Sequence, residues 1–231
     1  LMIEDFSYLV QFAFILVCFI SILIFFYASR SKIFIFYSLA WLLIQSIIAF
    51  SGLYLNFNSF PPRMMIFGLL PSLIFFISLF FLKNGKLFIE QIDLQILTYI
   101  HTVRLPIEII LFLLFRAELM SIYVTLEGTN FDIITGISAP VIALISFKKR
   151  KILKKTLLIW NFLGLLLLIN VIVTAVLSAP STIQMIAFNQ PNIAILYFPF
   201  NFLPSYIAPL MLFSHLVAIK KLTFNVSESK L

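Results

Sequence analysis

The sequence predicts a single all-α domain, residues 1–231, built as a polytopic membrane bundle of seven transmembrane helices. Two observations lead to this prediction. First, 62% of the 231 residues are hydrophobic and only 11% are charged, whereas soluble domains carry about 25% charged residues. Second, Lys and Arg are distributed very unevenly between alternate connections of the apolar segments. The mean hydropathy of +1.13 agrees with a chain whose solvent is largely lipid.

A membrane-spanning helix needs about 20 mostly apolar residues, and seven segments of the chain meet this requirement. An amphipathic link, residues 87–93, follows the third of them. We expect no internal repeat, because we find no prolines at matching positions of the two halves. The seven predicted spans are residues 6–28, 33–53, 64–82, 94–115, 130–147, 156–177 and 192–219.

The basic residues predict the orientation of the bundle. Thirteen Lys and Arg residues fall on one side of the predicted membrane, and only Arg63 and Arg116 fall on the other. By the positive-inside rule, the N-terminus is outside and the C-terminus is cytoplasmic. Because short loops account for the net charge of +7, we expect no nucleic-acid partner. The expected partners are the lipid bilayer and a small solute or lipid ligand.

The fourth span carries three ionisable residues in its middle. His101, Arg104 and Glu108 fall within roughly 60° of one another on a helical wheel. Such groups are costly in a membrane unless they are paired or face the bundle interior. Arg104 and Glu108 are four residues apart and can pair directly, and Pro106 between them predicts a kink. The stripe is either a structural ion pair or a site for a ligand, ion or proton.

The fifth span begins with polar residues and continues with a stripe of small ones. Asp132, Gly136, Ala139 and Ala143 share one helix face, which predicts close contact with a neighbouring helix. Asn130 suits the N-terminal cap of this helix. Asp132 is either a second capping group or a site residue at the outer rim of the membrane.

The seventh span contains three prolines spaced five residues apart from Pro199 onward, so we expect it to be bent or partly unwound. In a regular helix, Tyr197 and Asn201 would share a face with His215. We expect His215 itself at the cytoplasmic interface, because Lys220 follows five residues later. Broken helices of this kind present free backbone groups to ligands in transporters.

On the sixth span, Asn170 lies in the outer half, where an amide joins helices more often than it binds a substrate. Depth along the spans places most of these polar groups in the outer half of the membrane, under an uncharged loop at residues 178–191. We therefore predict an outward polar site. Its candidate ligand-binding residues are His101, Arg104, Glu108, Asp132, Asn170, Tyr197 and Asn201.

The sequence argues against several chemistries. A single cysteine, Cys18, excludes an intramolecular disulfide and a Cys-x-x-Cys site. There are two histidines and no His-Glu-x-x-His or Gly-x-Ser-x-Gly motif, so neither a zinc hydrolase nor a serine hydrolase is expected. We predict no metal and no cofactor, and we favour a protein that is not an enzyme.

Four stretches resemble a family of small, uncharacterised bacterial integral membrane proteins. They are Glu127–Pro140, Phe188–Phe200, His101–Glu108 and Leu212–Ala218. The resemblance covers residues 100–222, and the first three spans look generic. It implies a location in the cytoplasmic membrane of a bacterium, and it implies no mechanism.

Three functional hypotheses follow. The first is a protein that binds or transports a small polar or ionic solute through Arg104, Glu108 and groups of the seventh span. The second is a membrane-embedded enzyme that acts on a lipid or isoprenoid, with Glu108 or Asp132 as acid or base. The third is a structural or assembly protein whose polar groups only hold helices together.

Overall fold

The computed structural model describes Ile3, residues 7–147 and residues 152–224, and within these residues it is all-α. The basic residues 148–151 and the tail after residue 224 therefore lie outside the described part. The helices are α1 (Tyr8–Ser29), α2 (Lys32–Phe50), α3 (Leu70–Ser78), α4 (Lys83–Gln91), α5 (Leu94–Tyr99), α6 (Arg104–Arg116), α7 (Ile133–Ser146), α8 (Lys154–Ser178) and α9 (Ala208–Phe224).

Among the described residues, five helical segments are long and apolar enough to cross a membrane. They are α1, α2, the continuous segment Leu94–Arg116, α8 and Leu203–Thr223. A sixth would be Met65–Ser78 taken together with α4, although the two parts meet at 85°. Helix α7 is apolar but has only 14 residues. The predicted all-α membrane architecture is confirmed at this level.

Two predicted spans differ from the structure in their extent. Helix α3 ends at Ser78, and α4 turns away by 85° from Lys83 onward, so the amphipathic link begins four residues earlier than predicted. The last span starts at Leu203 and not at residue 192. The first eleven residues of that predicted span form mainly a short 3-10 turn and irregular backbone. Pro199 and Pro204 have no N–H to donate, so a regular helix does not extend back from Leu203 toward residue 192.

The surface of the bundle is apolar, and its interior holds polar side chains among a majority of apolar ones. On α1, Phe12 and Leu23 are 64% and 52% exposed, whereas Ser21 is fully buried. Helix α8 shows the same arrangement, with Leu166 exposed and Asn161 buried. Such an apolar exterior is what a lipid environment favours, since lipid tails are as apolar as these side chains.

Helix ends gather at two opposite ends of the bundle. At one, the amide of Asp93 donates to Ala28 O at 2.8 Å, and Lys221 Nζ donates to Ile92 O at 2.6 Å. At the other, Thr182 Oγ1 donates to Ser59 O at 3.1 Å, and Gln190 Nε2 donates to Met120 O at 2.7 Å. We call the first the basic end and the second the loop end.

Two π-helical turns lie before prolines and pack against each other. The turn Met65–Leu69 precedes Pro71, and the turn Leu203–Ile207 precedes Pro209. Because proline has no N–H, each removes a helical donor from a carbonyl four residues earlier. Polar side chains of α2 and α3 supply the missing donors. Gln45 Nε2 donates to Phe67 O at 2.8 Å, and Ser205 O accepts from both Trp41 Nε1 at 2.9 Å and Ser72 Oγ.

This arrangement corrects our expectation that the prolines do not repeat. Phe60-Pro61 and Pro71 lie 138 residues before Phe198-Pro199 and Pro209. The two π-helical turns start at the same offset, at Met65 and Leu203. The third and last spans therefore share a local pattern of Phe-Pro, π-helical turn and proline, and it is these two copies that touch in the bundle.

The shared carbonyl of Ser205 gives a stability prediction. Trp41→Phe and Ser72→Ala each leave one donor, so each should lower the free energy of unfolding by about 1 kcal/mol. The double substitution removes both side-chain donors of this carbonyl, and its cost should exceed the sum of the two by about 1–2 kcal/mol. Denaturant titration of the purified protein in detergent measures this. Ser78→Ala is the control, since Ser78 bonds within its own helix, and additive single costs would contradict the prediction.

Candidate functional site

Arg104 is at the centre of a buried polar network. Its side chain is 5% exposed and forms an ion pair with Asp132, which immediately precedes α7. Its second terminal nitrogen lies 3.1 Å from Nε2 of His215 on α9. The expected pair with Glu108 is wrong. Among the described residues the one ion pair is Arg104–Asp132, because α7 packs directly against the start of α6.

The hydrogen bonds of His215 specify its tautomer. Asn161 Nδ2 donates to Leu157 O at 2.8 Å, so Asn161 Oδ1 is the atom that faces His215 Nδ1 at 2.9 Å, and it can only accept. His215 is therefore protonated on Nδ1, and its Nε2 accepts from the Arg104 guanidinium. A neutral imidazole thus connects α8 to the cation on α6.

His215 is fully buried in the protein, and its expected depth at the cytoplasmic interface stays a prediction. Its ring stacks on His101 with centroids 4.0 Å apart and an interplanar angle of 18°. Trp160 closes the cluster, with its ring edge-on to His101 at 5.4 Å. The reason is the route of α9, which keeps this face against α8 and the 3-10 turn Ile100–Val103 up to the basic end.

Glu108 anchors the connection between α6 and α7. Its Oε1 accepts from the backbone N–H of Leu126 at 2.6 Å, and its Oε2 accepts from Asn130 Nδ2 at 2.7 Å. The amide oxygen of Asn130 accepts in turn from the backbone N–H of Asp132 at 2.9 Å. Asn130 is therefore not the N-cap of α7, which is Asp132. It joins the Glu108 carboxylate to the residue that pairs with Arg104.

These bonds draw the connection into the bundle, and they correct the predicted position of Asp132. Helix α6 ends at Arg116, about 18 Å along its axis from Arg104. Because Asp132 contacts Arg104, it lies far below the end of α6 and not at the outer rim. Its side chain is 11% exposed. The short α7 begins inside the protein for the same reason.

Small residues allow these close approaches. A Cβ atom on Gly136 would lie 3.1 Å from Arg104 Cβ, and one on Gly164 would lie 2.6 Å from His215 Cε1. Ala139 and Ala143 of α7 are also fully buried. The predicted small-residue face of α7 is thus confirmed as a contact face. The backbone forms a 3-10 turn at Ile100–Val103, one turn before Pro106, within the continuous segment Leu94–Arg116, and the predicted kink at the proline stays a prediction.

A cavity of about 120 Å³ lies against this network. Its volume is several times the roughly 10–15 Å³ that one water molecule needs. Arg104, Glu108, Asn130 and Asp132 contribute to one wall, and most of the remaining lining is apolar. The cavity extends to the loop end, where Asn56, Arg63 and Ser181 line it.

Three of the predicted site residues lie outside the network. Asn170 is exposed and donates to Thr129 O at 3.0 Å, which is a helix-to-loop contact. Asn201 is buried and donates to Gln45 O at 3.0 Å, near the paired π-helical turns. Tyr197 packs at the edge of the hydrophobic core. None of the three is among the residues that line the cavity.

Asn161, Trp160 and His215 belong to the network, although our sequence analysis did not select them. Their depth was the signal that could have identified them, since all three lie about two and a half turns or less from the basic ends of their helices. Within the described residues, no three His, Cys, Asp or Glu side chains converge as metal ligands.

The Arg104–Asp132 pair gives a second stability prediction. Arg104→Gln or Asp132→Asn alone leaves one buried charge without its partner and should lower the free energy of unfolding by about 3–5 kcal/mol. The double substitution removes both charges and should recover at least half of that loss. Glu118→Gln, at an exposed position, is the control. A double variant that is less stable than either single variant, measured by denaturant titration in detergent, would refute a charge-compensation role.

Comparisons with known proteins give a family and no function. No curated protein matches the chain, and no solved structure matches it. Residues 61–223 match the model of a family described as a domain of unknown function, DUF8737. This match covers about two thirds of the chain and includes every residue of the Arg104 network. The chain belongs to the DUF8737 family.

Proposed function

We propose that the protein crosses the cytoplasmic membrane of a bacterium seven times, with its N-terminus outside. The seventh crossing is completed by α7 together with the polar connection that leads into it from the loop end. Alternating helix ends support this count, since residues 28, 92–93 and 221 meet at the basic end. The thirteen-to-two distribution of Lys and Arg supports a cytoplasmic basic end.

Reporter fusions test this topology. Green fluorescent protein fused after Leu231 should fluoresce in bacterial cells, and alkaline phosphatase at the same position should be inactive, because both would be cytoplasmic. Alkaline phosphatase fused after Ser59 of a truncated chain is the matched control, and it should be active, since residue 59 lies at the loop end. Active phosphatase after Leu231 would rule out the proposed orientation.

We further propose that the protein binds a small ligand carrying a polar or ionic group in the cavity beside Arg104. The observation that carries this proposal is that the cavity brings four buried polar or charged residues to one side of an apolar chamber. An ordinary helix contact would fill such a space with side chains, because protein interiors are close-packed. Binding, with or without transport, is the function that this arrangement supports best.

An enzyme that acts on a lipid or isoprenoid is the second candidate. The apolar lining favours it, because it suits a hydrocarbon chain better than a hydrophilic solute. Glu108 is a poor general base in this arrangement, since both its oxygens already accept hydrogen bonds from the connection to α7. Asp132 would then be the acid or base that remains.

Cavity filling tests the binding proposal. Ala175→Phe places a ring in the cavity wall, whereas Val173→Phe, on the same helix, enlarges a side chain that is 50% exposed and does not line the cavity. Native mass spectrometry of gently purified protein should show a bound species in the wild type and in Val173→Phe. We expect Ala175→Phe to lose it while keeping a comparable thermal unfolding temperature. Equal occupancy in all three proteins would place the ligand elsewhere.

A further inference from the structure

The apolar part of the cavity indicates the body of its ligand. Leu168 and Ile172 of α8 face the cavity together with Ile207 and Met211 of the last span. Burial of apolar area against such a wall is favourable in proportion to the area removed from water. A wholly hydrophilic solute would lose its hydration there and gain few contacts in return. The wall therefore suits a hydrocarbon chain.

Several acceptor atoms of the residues in the cavity wall are already occupied. Both oxygens of Glu108 accept N–H donors, at 2.6 Å from Leu126 and at 2.7 Å from Asn130. Asp132 Oδ1 is paired with Arg104, and Asn130 Oδ1 accepts from the backbone of Asp132. At any of these atoms, a cationic ligand would have to displace an existing bond.

Donors, in contrast, remain free. Arg104 Nε is buried and has no acceptor within the described part of the chain. At the loop end, Arg63 lines the cavity, half-buried, and no described residue accepts a hydrogen bond from its guanidinium. Two neighbours have their acceptor atoms in use, since Asn56 Oδ1 accepts from Asn58 N and Ser181 Oγ accepts from Ile183 N. The amide N–H₂ of Asn56 and the hydroxyl hydrogen of Ser181 are left to donate.

The loops that carry these donors are held together. Thr182 Oγ1, beside Ser181, donates to the backbone of Ser59 at 3.1 Å, between Asn56 and Arg63. The mouth of the cavity at the loop end is therefore a set of donors around one unpaired guanidinium. An Arg guanidinium with neutral donors beside it is the usual means of binding a phosphate or carboxylate.

We propose that the ligand is an anionic amphiphile, with its phosphate or carboxylate headgroup on Arg63 at the loop end and its hydrocarbon chain between α8 and the last span. This inference rests on the proposed binding function and names the ligand class for the same cavity.

Native mass spectrometry titrations of the detergent-purified full chain test this proposal. Farnesyl monophosphate and oleoyl lysophosphatidate are the anionic probes, and they distinguish an isoprenoid from an acyl chain. Farnesol is the uncharged control for the chain, and inorganic phosphate is the control for the headgroup. At least one anionic probe should bind about tenfold or more tightly than farnesol and than inorganic phosphate.

Arg63→Gln should weaken binding of that probe roughly tenfold and leave farnesol binding unchanged. Arg116→Gln is the matched control, since Arg116 is exposed and does not line the cavity. The proposal is overturned if farnesol binds as tightly as the anionic probes, if inorganic phosphate alone does, if no anionic probe binds, or if the two Arg variants behave alike.

The Ala175→Phe variant distinguishes a wrong ligand class from a cavity that binds no ligand at all. If farnesol binds the wild type as tightly as the anionic probes, and Ala175→Phe abolishes binding of both, the cavity binds ligands and only the anionic class is wrong. If Ala175→Phe leaves every probe and every copurified species bound, the cavity itself is not the binding site, and both proposals fail.

Discussion

Burial of the Arg104 charge is the constraint on which the rest of the structure depends. A guanidinium removed from water and from lipid headgroups costs several kcal/mol unless an anion and further acceptors surround it. Asp132 supplies the anion and His215 supplies a neutral acceptor. Those partners come from α7 and α9, and the tautomer of His215 requires Asn161 on α8. One cation therefore positions four helices relative to one another.

The same constraint explains where the connection from α6 to α7 enters the bundle and where glycines are needed. Asp132 can reach Arg104 only if α7 starts inside the bundle, so its connection from α6 must be solvated by protein groups. Glu108 does this by accepting from Leu126 and Asn130. Glycines at positions 136 and 164 leave the space that the Arg104 and His215 side chains occupy. The chamber lies beside these residues.

The parts of the structure that could be predicted from the sequence were those that show a periodic pattern of residues. Hydropathy predicted apolar spans, and the face of Gly136, Ala139 and Ala143 predicted close helix contact. Depth could also have paired Asn161 with His215, because both lie roughly 10–14 Å from the basic ends of their helices. Asp132 as the partner of Arg104 was not predictable in this way. Its position depends on the irregular path of a loop, which has no period, and the pairing at i, i+4 with Glu108 was the nearer alternative.

An ionisable residue in a membrane helix is commonly taken as a functional site, and this structure shows why its partners must be counted first. Glu108 and Asp132 looked like ligand groups in the sequence, yet both oxygens of Glu108 and Oδ1 of Asp132 are in use, which is what a structural role requires. Arg63 looked like an ordinary loop residue, yet its donors lack acceptors among the described residues while it lines a cavity. A ligand can bind only to groups whose bonds are not already made by the protein, because displacing a buried bond costs more than a new one returns. The chemistry of this cavity is therefore set by its unpaired donors more than by its buried charges.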